Sequence, residues 1–324
     1  MALQLSLELP EPTRRRFDLH PEHQYLRLMR RIWETGDERV DRTGVGTRSV
    51  FGAVLRYELS DSEMPLITTK RVYWKTATRE FLWFLTGDTN IRALCGQGVQ
   101  IWTDWPLDRY RKASGEAISR EDFSARVVAD AEFAAKWGDL GPVYGKQWVD
   151  WPTFEPAGEG LFRKGKGINQ VAQVVHSLRN NPGSRRHIVE GWNVAELDQM
   201  ALPPCHKTYQ FHVVGNRLNC LLYQRSCDVA LGLPFNLWSA ALFTRMLAQQ
   251  CDLEPGELTW VGGDTHLYLN HVELVESQLA RKPEGDPPKL TILRRPVSIF
   301  DFSIEDFEVA AYAPQAAISA PVAV

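Results

Sequence analysis

Cysteine is scarce in this chain of 324 residues: Cys95, Cys205, Cys220, Cys227 and Cys251, with no C-x-x-C pair. That odd set does not suit a disulfide framework and fits a reducing compartment. No apolar run approaches the roughly 20 residues of a membrane span. The opening stretch M-A-L-Q-L-S-L-E-L-P lacks the basic start and long apolar segment of a secretory signal, so the expected location is cytoplasmic. There is no large excess of either charge; a net −3 argues against nucleic acid or membrane as the main partner. Internal repeats and low-complexity tracts are also lacking. So is the glycine spacing of a nicotinamide-dinucleotide site. What remains is an ordinary globular composition, 44% hydrophobic and 24% charged, in a chain long enough to bury a sizeable core.

Residues 1–21, with Pro10, Pro12 and the run Arg14-Arg15-Arg16, read as an N-terminal extension. Tyr25, Leu28, Met29, Ile32 and Trp33 recur with helical spacing, and Gly36 is a natural stop. Residues 48–59 partly alternate and predict a strand, and residues 75–86 predict a helix with Ala77, Phe81, Phe84 and Leu85 on one side. The charged, alanine-rich stretch from about 106 to 139 predicts a mainly helical insertion. A helix over 168–180 ends at Asn181-Pro182-Gly183. Tyr209, Phe211 and Val213 alternate, Gly215-Asn216 turns, and Leu218, Cys220 and Leu222 alternate back, which predicts a β-hairpin. Helices are expected over about 236–252 and 266–281. The mixture is α+β, with no internal linker.

Cys205 stands apart from the other thiols. It follows Pro203-Pro204 and precedes a strand, so a rigid backbone presents it. A nucleophilic thiol needs positive charge nearby. His206 is adjacent, but neighbours on a strand face opposite ways, so the cation must come from elsewhere. Arg42, Arg185, Arg186 and Arg225 lie in or beside glycine- or serine-bearing segments. Their planar forks suit an anionic ligand, or else surface ion pairs. Glu80, amid apolar neighbours, suits either harmless pairing or a tuned proton transfer. Trp102 and Trp105 suit either core or a stacking wall. Asp264 and His266 suit either catalysis or a structural turn. His266 and His271, five apart, are poorly spaced for ligands on one helix face, and no metal site emerges. These residues point to a thiol enzyme acting on an anionic substrate.

Taken in order, D-R-T-G-V-G-T (41–47), E-F-L-W-F-L-T-G-D-T-N-I (80–91), G-P-V-Y-G-K-Q-W (141–148), S-R-R-H-I-V (184–189), P-P-C-H (203–206), Y-Q-R-S-C-D-V (223–229), L-G-L-P-F-N (231–236) and G-G-D-T-H-L-Y (262–268) resemble the thymidylate synthase family from about residue 22 to Val324. The resemblance implies a single-domain α+β sandwich of helices on a large mixed β-sheet, working as a homodimer. The region 106–139 would be an insertion where the family varies in length. It implies conversion of dUMP to dTMP, with 5,10-methylenetetrahydrofolate supplying both the carbon and the hydride, without metal or nicotinamide. By resemblance Cys205 is the nucleophile that adds to uracil C6, and Arg225 is the cation beside it. Arg42, Arg225 and Ser226, with Arg185 and Arg186 of the other subunit, form the phosphate clamp. Asn236 meets the pyrimidine, Glu80 and Tyr144 manage protons, and His266 and Tyr268 meet the deoxyribose hydroxyl. Asp228 serves nucleotide or folate. Trp102, Trp105, Gly232, Lys70 and the tail residue Ala323 serve the folate.

Thr103 stands where many members of that family have aspartate, and Glu190 where a small residue is common. Two other functions are weighed. A deoxycytidylate hydroxymethylase is disfavoured by Asn236, since an aspartate takes that place there. An mRNA-binding protein with a vestigial site is disfavoured by the modest charge and by Cys205 itself.

Overall fold

A computed structural model of the chain describes residues 20–40 and 44–321. The helices are α1 His23–Thr35, α2 Trp74–Thr86, α3 Arg92–Gly96, α4 Asp104–Ser114, α5 Arg120–Ala129, α6 Ala131–Trp137, α7 Tyr144–Val149, α8 Gln170–Asn180, α9 Gly232–Gln250 and α10 Val272–Leu279. The strands are β1 Asp37–Arg39, β2 Thr47–Glu58, β3 Phe154–Gly158, β4 Leu161–Lys164, β5 Ile188–Glu190, β6 His206–Val214, β7 Arg217–Asp228, β8 Glu254–Tyr268, β9 Lys289–Ile292 and β10 Phe307–Ala310. Among the described residues, the principal sheet has six strands in the order β1-β2-β8-β7-β6-β5. It is mixed: β7 and β8 run parallel, and the other pairs are antiparallel. The fold is α+β, as the sequence predicts.

A parallel pair needs a crossover, and α9 supplies it. That helix is apolar nearly all round, from Leu237 and Trp238 to Met246 and Leu247, and is buried accordingly. Pro234 lies in its first turn, where a missing N–H costs little. The core between α2, α9 and the sheet is aromatic. Phe243 sits 5.2 Å from Phe81, 5.3 Å from Phe211 and 5.5 Å from Tyr209 by ring centroids, and stacks on Trp148 at 12°. The opposite face of the sheet leaves Ile188, Leu221 and Val54 exposed.

The helical stretch expected at 106–139 forms α4–α6. Tyr110, Phe123, Phe133 and Trp137 make an aromatic cluster among those helices. Two expectations need correction. The stretch 266–281 is not one helix: β8 continues to Tyr268, and α10 begins only at Val272. Gly262-Gly263 lies within that strand. A Cβ on Gly262 would come 2.2 Å from the Trp260 ring, and one on Gly263 2.8 Å from the Arg225 carbonyl oxygen. The glycines thus serve close approach, not reversal. The helix expected from about 236 starts earlier, at Gly232. Residues 1–19 of the expected extension lie outside the described residues.

Phe243→Ala would leave a cavity with no way to collapse onto it, so it should cost about 3–5 kcal/mol in urea unfolding at fixed protein concentration. A loss below about 1 kcal/mol would show that this cluster does not hold the sheet to α9.

Candidate active site

Parallel strands gather ligands outside their carboxyl ends, where a crossover helix begins. The cleft lies there, at the ends of β7 and β8 and the start of α9. It measures about 440 Å³ and is lined by Glu80, Trp102, Trp105, Tyr144, Cys205, Arg225, Ser226, Asp228, Gly232, Asn236, His266 and Tyr268, among others. Twelve residues singled out from the sequence therefore meet in one place. Arg185 and Arg186 do not. They are exposed before β5, and among the described residues their side chains make no hydrogen bond or ion pair. Arg42 and Ala323 lie outside the described residues.

The Pro203-Pro204-Cys205 corner is held by Arg225. Its Nε donates to the Pro204 carbonyl at 2.9 Å and its Nη2 to the Pro203 carbonyl at 2.6 Å. The same Nη2 lies 3.9 Å from Cys205 Sγ. Backbone pairing repeats the registration, with Arg225 N–H donating to the Cys205 carbonyl at 3.0 Å. The guanidinium also packs over Trp192, 5.2 Å from the ring centroid. On the other side, Cys205 N–H donates to the Tyr144 hydroxyl oxygen at 2.8 Å. His206 is buried, and desolvation pushes its imidazole down to about 4 against a hydrogen bond with Asn236. It is neutral at neutral pH and so is not the cation beside the thiol, as expected from the strand geometry; Arg225, named by the resemblance, stands there.

Tyr144 stacks on Phe84 with centroids 4.9 Å apart. Burial first, then the nearby Cys205, hold its phenol far above its ordinary range, so it keeps its proton. Glu80 projects from α2 and accepts a 2.7 Å hydrogen bond from Trp102 Nε1. Burial pushes its carboxyl up to about 7, and the indole donor pulls the other way. Since that value lies above the ordinary one, ionisation favours the unfolded chain. Glu80 therefore withdraws stability as the pH rises from about 4.5 through 7, and none below.

Gln224 and Trp260 orient an amide that lines the cleft, and the sequence reading missed them. Trp260 Nε1 can only donate, and it donates to Gln224 Oε1 at 2.8 Å. Gln224 must then turn Nε2 toward Asn236, where it donates to Oδ1 at 2.8 Å. The Asn236 amide is thereby fixed with its NH₂ left for the cleft. A signal was present: Gln224 shares a strand face with Leu222 and Cys220, and a polar residue on a buried face needs a partner.

Asp228 accepts from the N–H groups of Ala230 and Leu231 at 2.8 and 3.2 Å, closing the turn into α9. Lys70, which the resemblance assigns to the folate, is buried, its Nζ donates to the Ala230 carbonyl, and desolvation pulls it to about 8. It braces the β7–α9 turn from behind. Thr103 is also turned away from the cleft, fully buried against Cys95 and Ser124. Glu190 binds Lys207 Nζ at 3.2 Å and the Thr208 hydroxyl at 2.6 Å.

For a reduced folate, the fit is one of shape. Trp102 and Trp105, with centroids 5.3 Å apart, form an aromatic wall. Gly232 also lines the cleft, and a Cβ there would meet nothing nearer than 3.7 Å, so a flat ring has room.

Comparison with known proteins finds one family. The family model described as thymidylate synthase matches residues 23–324. A thymidylate synthase of Novosphingobium aromaticivorans is 79% identical over 306 residues, covering 94% of this chain and 97% of the relative. One from Sphingopyxis alaskensis is 70% identical, covering 94% and 99%. One from Rhodopseudomonas palustris is 56% identical, again covering 94% and 99%.

Removing the indole donor should raise the Glu80 titration further. In infrared difference spectra that isolate this carboxyl against Glu80→Gln, the midpoint should lie near 7 and move upward in Trp102→Phe. A midpoint that stays put or falls would contradict the assigned hydrogen bond.

Proposed function

The chain belongs to the thymidylate synthase family, whose enzymes methylate dUMP to dTMP with methylenetetrahydrofolate and no metal, and on that premise we propose that the Cys205 cleft is the site of this reaction. The arrangement that carries the reading is Arg225, holding two proline carbonyls and standing 3.9 Å from the thiol. A guanidinium so placed stabilises negative charge on sulfur without competing for the proton.

Uracil C5 is a poor nucleophile until C6 is attacked. The Cys205 thiolate forms a bond to C6, and the C5=C6 electron pair moves toward the O4 carbonyl. Asn236 presents its NH₂ to that oxygen, held so by Gln224 and Trp260. A cytosine would present its own NH₂ there and meet a second donor, so the relay selects uracil. C5 is then electron-rich. Glu80, near 7, and Tyr144, still a phenol, line the cleft and handle the proton that C5 must lose. Arg225 and Ser226 receive the phosphate, joined by Arg42, while His266 and Tyr268 meet the sugar. Asp228 orders the turn beneath both ligands. Trp102, Trp105 and Gly232 hold the folate, with Ala323 in the closing tail. When bound, that folate supplies a one-carbon unit and the hydride that reduces it.

Arg185 and Arg186 serve the phosphate of a second subunit. Two observations support this: among the described residues the pair makes no side-chain hydrogen bond or ion pair, and one face of the sheet leaves Ile188, Leu221 and Val54 exposed. Such a face suits an isologous contact between two copies. Residues from about 22 onward act as one catalytic domain with 106–139 inserted. Free thiols at all five cysteines support work in the reducing cytoplasm. Among the described residues, no helix is long and apolar enough to cross a membrane.

Dihydrofolate formation from dUMP and methylenetetrahydrofolate should fall more than about 10³-fold in Cys205→Ala. Arg186→Glu should also be inactive alone. Mixed and allowed to exchange subunits, the two variants should regain activity, because one hybrid site keeps both groups. Equal activity of wild type and Cys205→Ala would overturn the assigned chemistry. Exchanged mixtures that stay silent would overturn the shared site.

A further inference from the structure

β8 places Asp264, His266 and Tyr268 at alternate positions, so all three face the cleft from one side of the strand. Their backbone is tightly registered. His266 pairs with Ser49 on β2 and Asp228 on β7, and its carbonyl accepts from Val229 N–H at 2.9 Å. The His266 ring meets Tyr268 edge-on, 5.2 Å between centroids. Its Nδ1 lies 3.0 Å from Asp264 Oδ1, and the other carboxylate oxygen accepts from Arg39 Nη1 at 3.3 Å. Arg39 belongs to the edge strand β1, so this chain of contacts spans three neighbouring strands.

We propose that Asp264 is a positioning residue for nucleotide recognition: it fixes the tautomer and tilt of His266 so that Nε2 accepts a hydrogen bond from the sugar 3′-hydroxyl. This deepens the reading of the cleft as the dUMP site and rests on it. An ionised carboxylate can only accept, so Nδ1 carries a proton facing it; in the uncharged form of the ring the lone pair then lies on Nε2. The hydrogen bond with His266 holds the Asp264 carboxyl below its ordinary range, with Arg39 adding to the effect, so the acceptor persists at neutral pH. Among the described residues Nε2 makes no hydrogen bond, which leaves it for ligand. Without the carboxylate, the ring can rotate or change tautomer and present a donor where an acceptor is needed.

The probes are dUMP and its 3′-deoxy analogue, bound to the full-length enzyme and measured by calorimetry. Asp264→Ala should weaken dUMP by about tenfold, the scale of one lost hydrogen bond, and leave the analogue nearly unchanged. KM for dUMP should rise while kcat stays close to wild type, and ¹⁵N spectra should show His266 passing from one tautomer to a mixture. Equal weakening of both nucleotides, or an unchanged tautomer, would overturn the proposal. His266→Ala separates the two levels. If it abolishes discrimination between the nucleotides and Asp264→Ala does not, only the positioning role fails. If His266→Ala leaves discrimination intact, the sugar contact itself is wrong, and the proposal falls with it.

Discussion

Arg225 makes three polar contacts with one planar group, and the site is arranged around them. Two of its donors are spent on carbonyls of residues that have no N–H of their own. Pro203 and Pro204 cannot be drawn into a strand ladder, so their carbonyls stay available to the guanidinium. The same fork then sits against the sulfur. A lysine could supply charge but not this geometry, because an ammonium has no fixed planar fork. Backbone rigidity and thiol electrostatics are thus a single feature of the chain.

Around that anchor, each polar group is oriented by a neighbour with fewer options than itself. Trp260 can only donate, which fixes Gln224, which fixes Asn236. Trp102 donates to Glu80, which burial holds near 7. Asp264 can only accept, which fixes His266. The sheet makes these relays possible. Neighbouring strands β7 and β8 run parallel, so Gln224, Ser226 and Asp228 lie beside Gly262, Asp264 and His266 in register. Preorganised dipoles of this kind act without reorganising during reaction, which is where an enzyme gains most from a rigid scaffold.

Much of this was legible in the sequence, for identifiable reasons. The hairpin 206–228 showed itself through strict alternation, and α1 and α2 through helical spacing. Cys205 was marked by its prolines. The single helix expected over 266–281 was an error, since β8 runs on to Tyr268 and α10 starts only at Val272; Gly262 and Gly263 inside β8 admit the Trp260 ring and the Arg225 backbone. The alternation of Asp264, His266 and Tyr268 was the better signal for β8. The burial of Lys70 was not legible locally, since it depends on the Ala230 carbonyl, a contact spanning 160 positions. Gln224 showed itself as a polar residue on the buried face of β7, but its partners lie 12 and 36 positions away. Periodicity can show that such a residue is buried, but not which distant partner it meets.

The central claim is that the sulfur of Cys205 bonds reversibly to the pyrimidine. Its most direct test is peptide mass spectrometry of the enzyme trapped with 5-fluoro-dUMP and methylenetetrahydrofolate. The adduct should map to the peptide bearing Pro203-Pro204-Cys205 and be absent from Cys205→Ala. An adduct on another side chain, or none in an active preparation, would contradict the account.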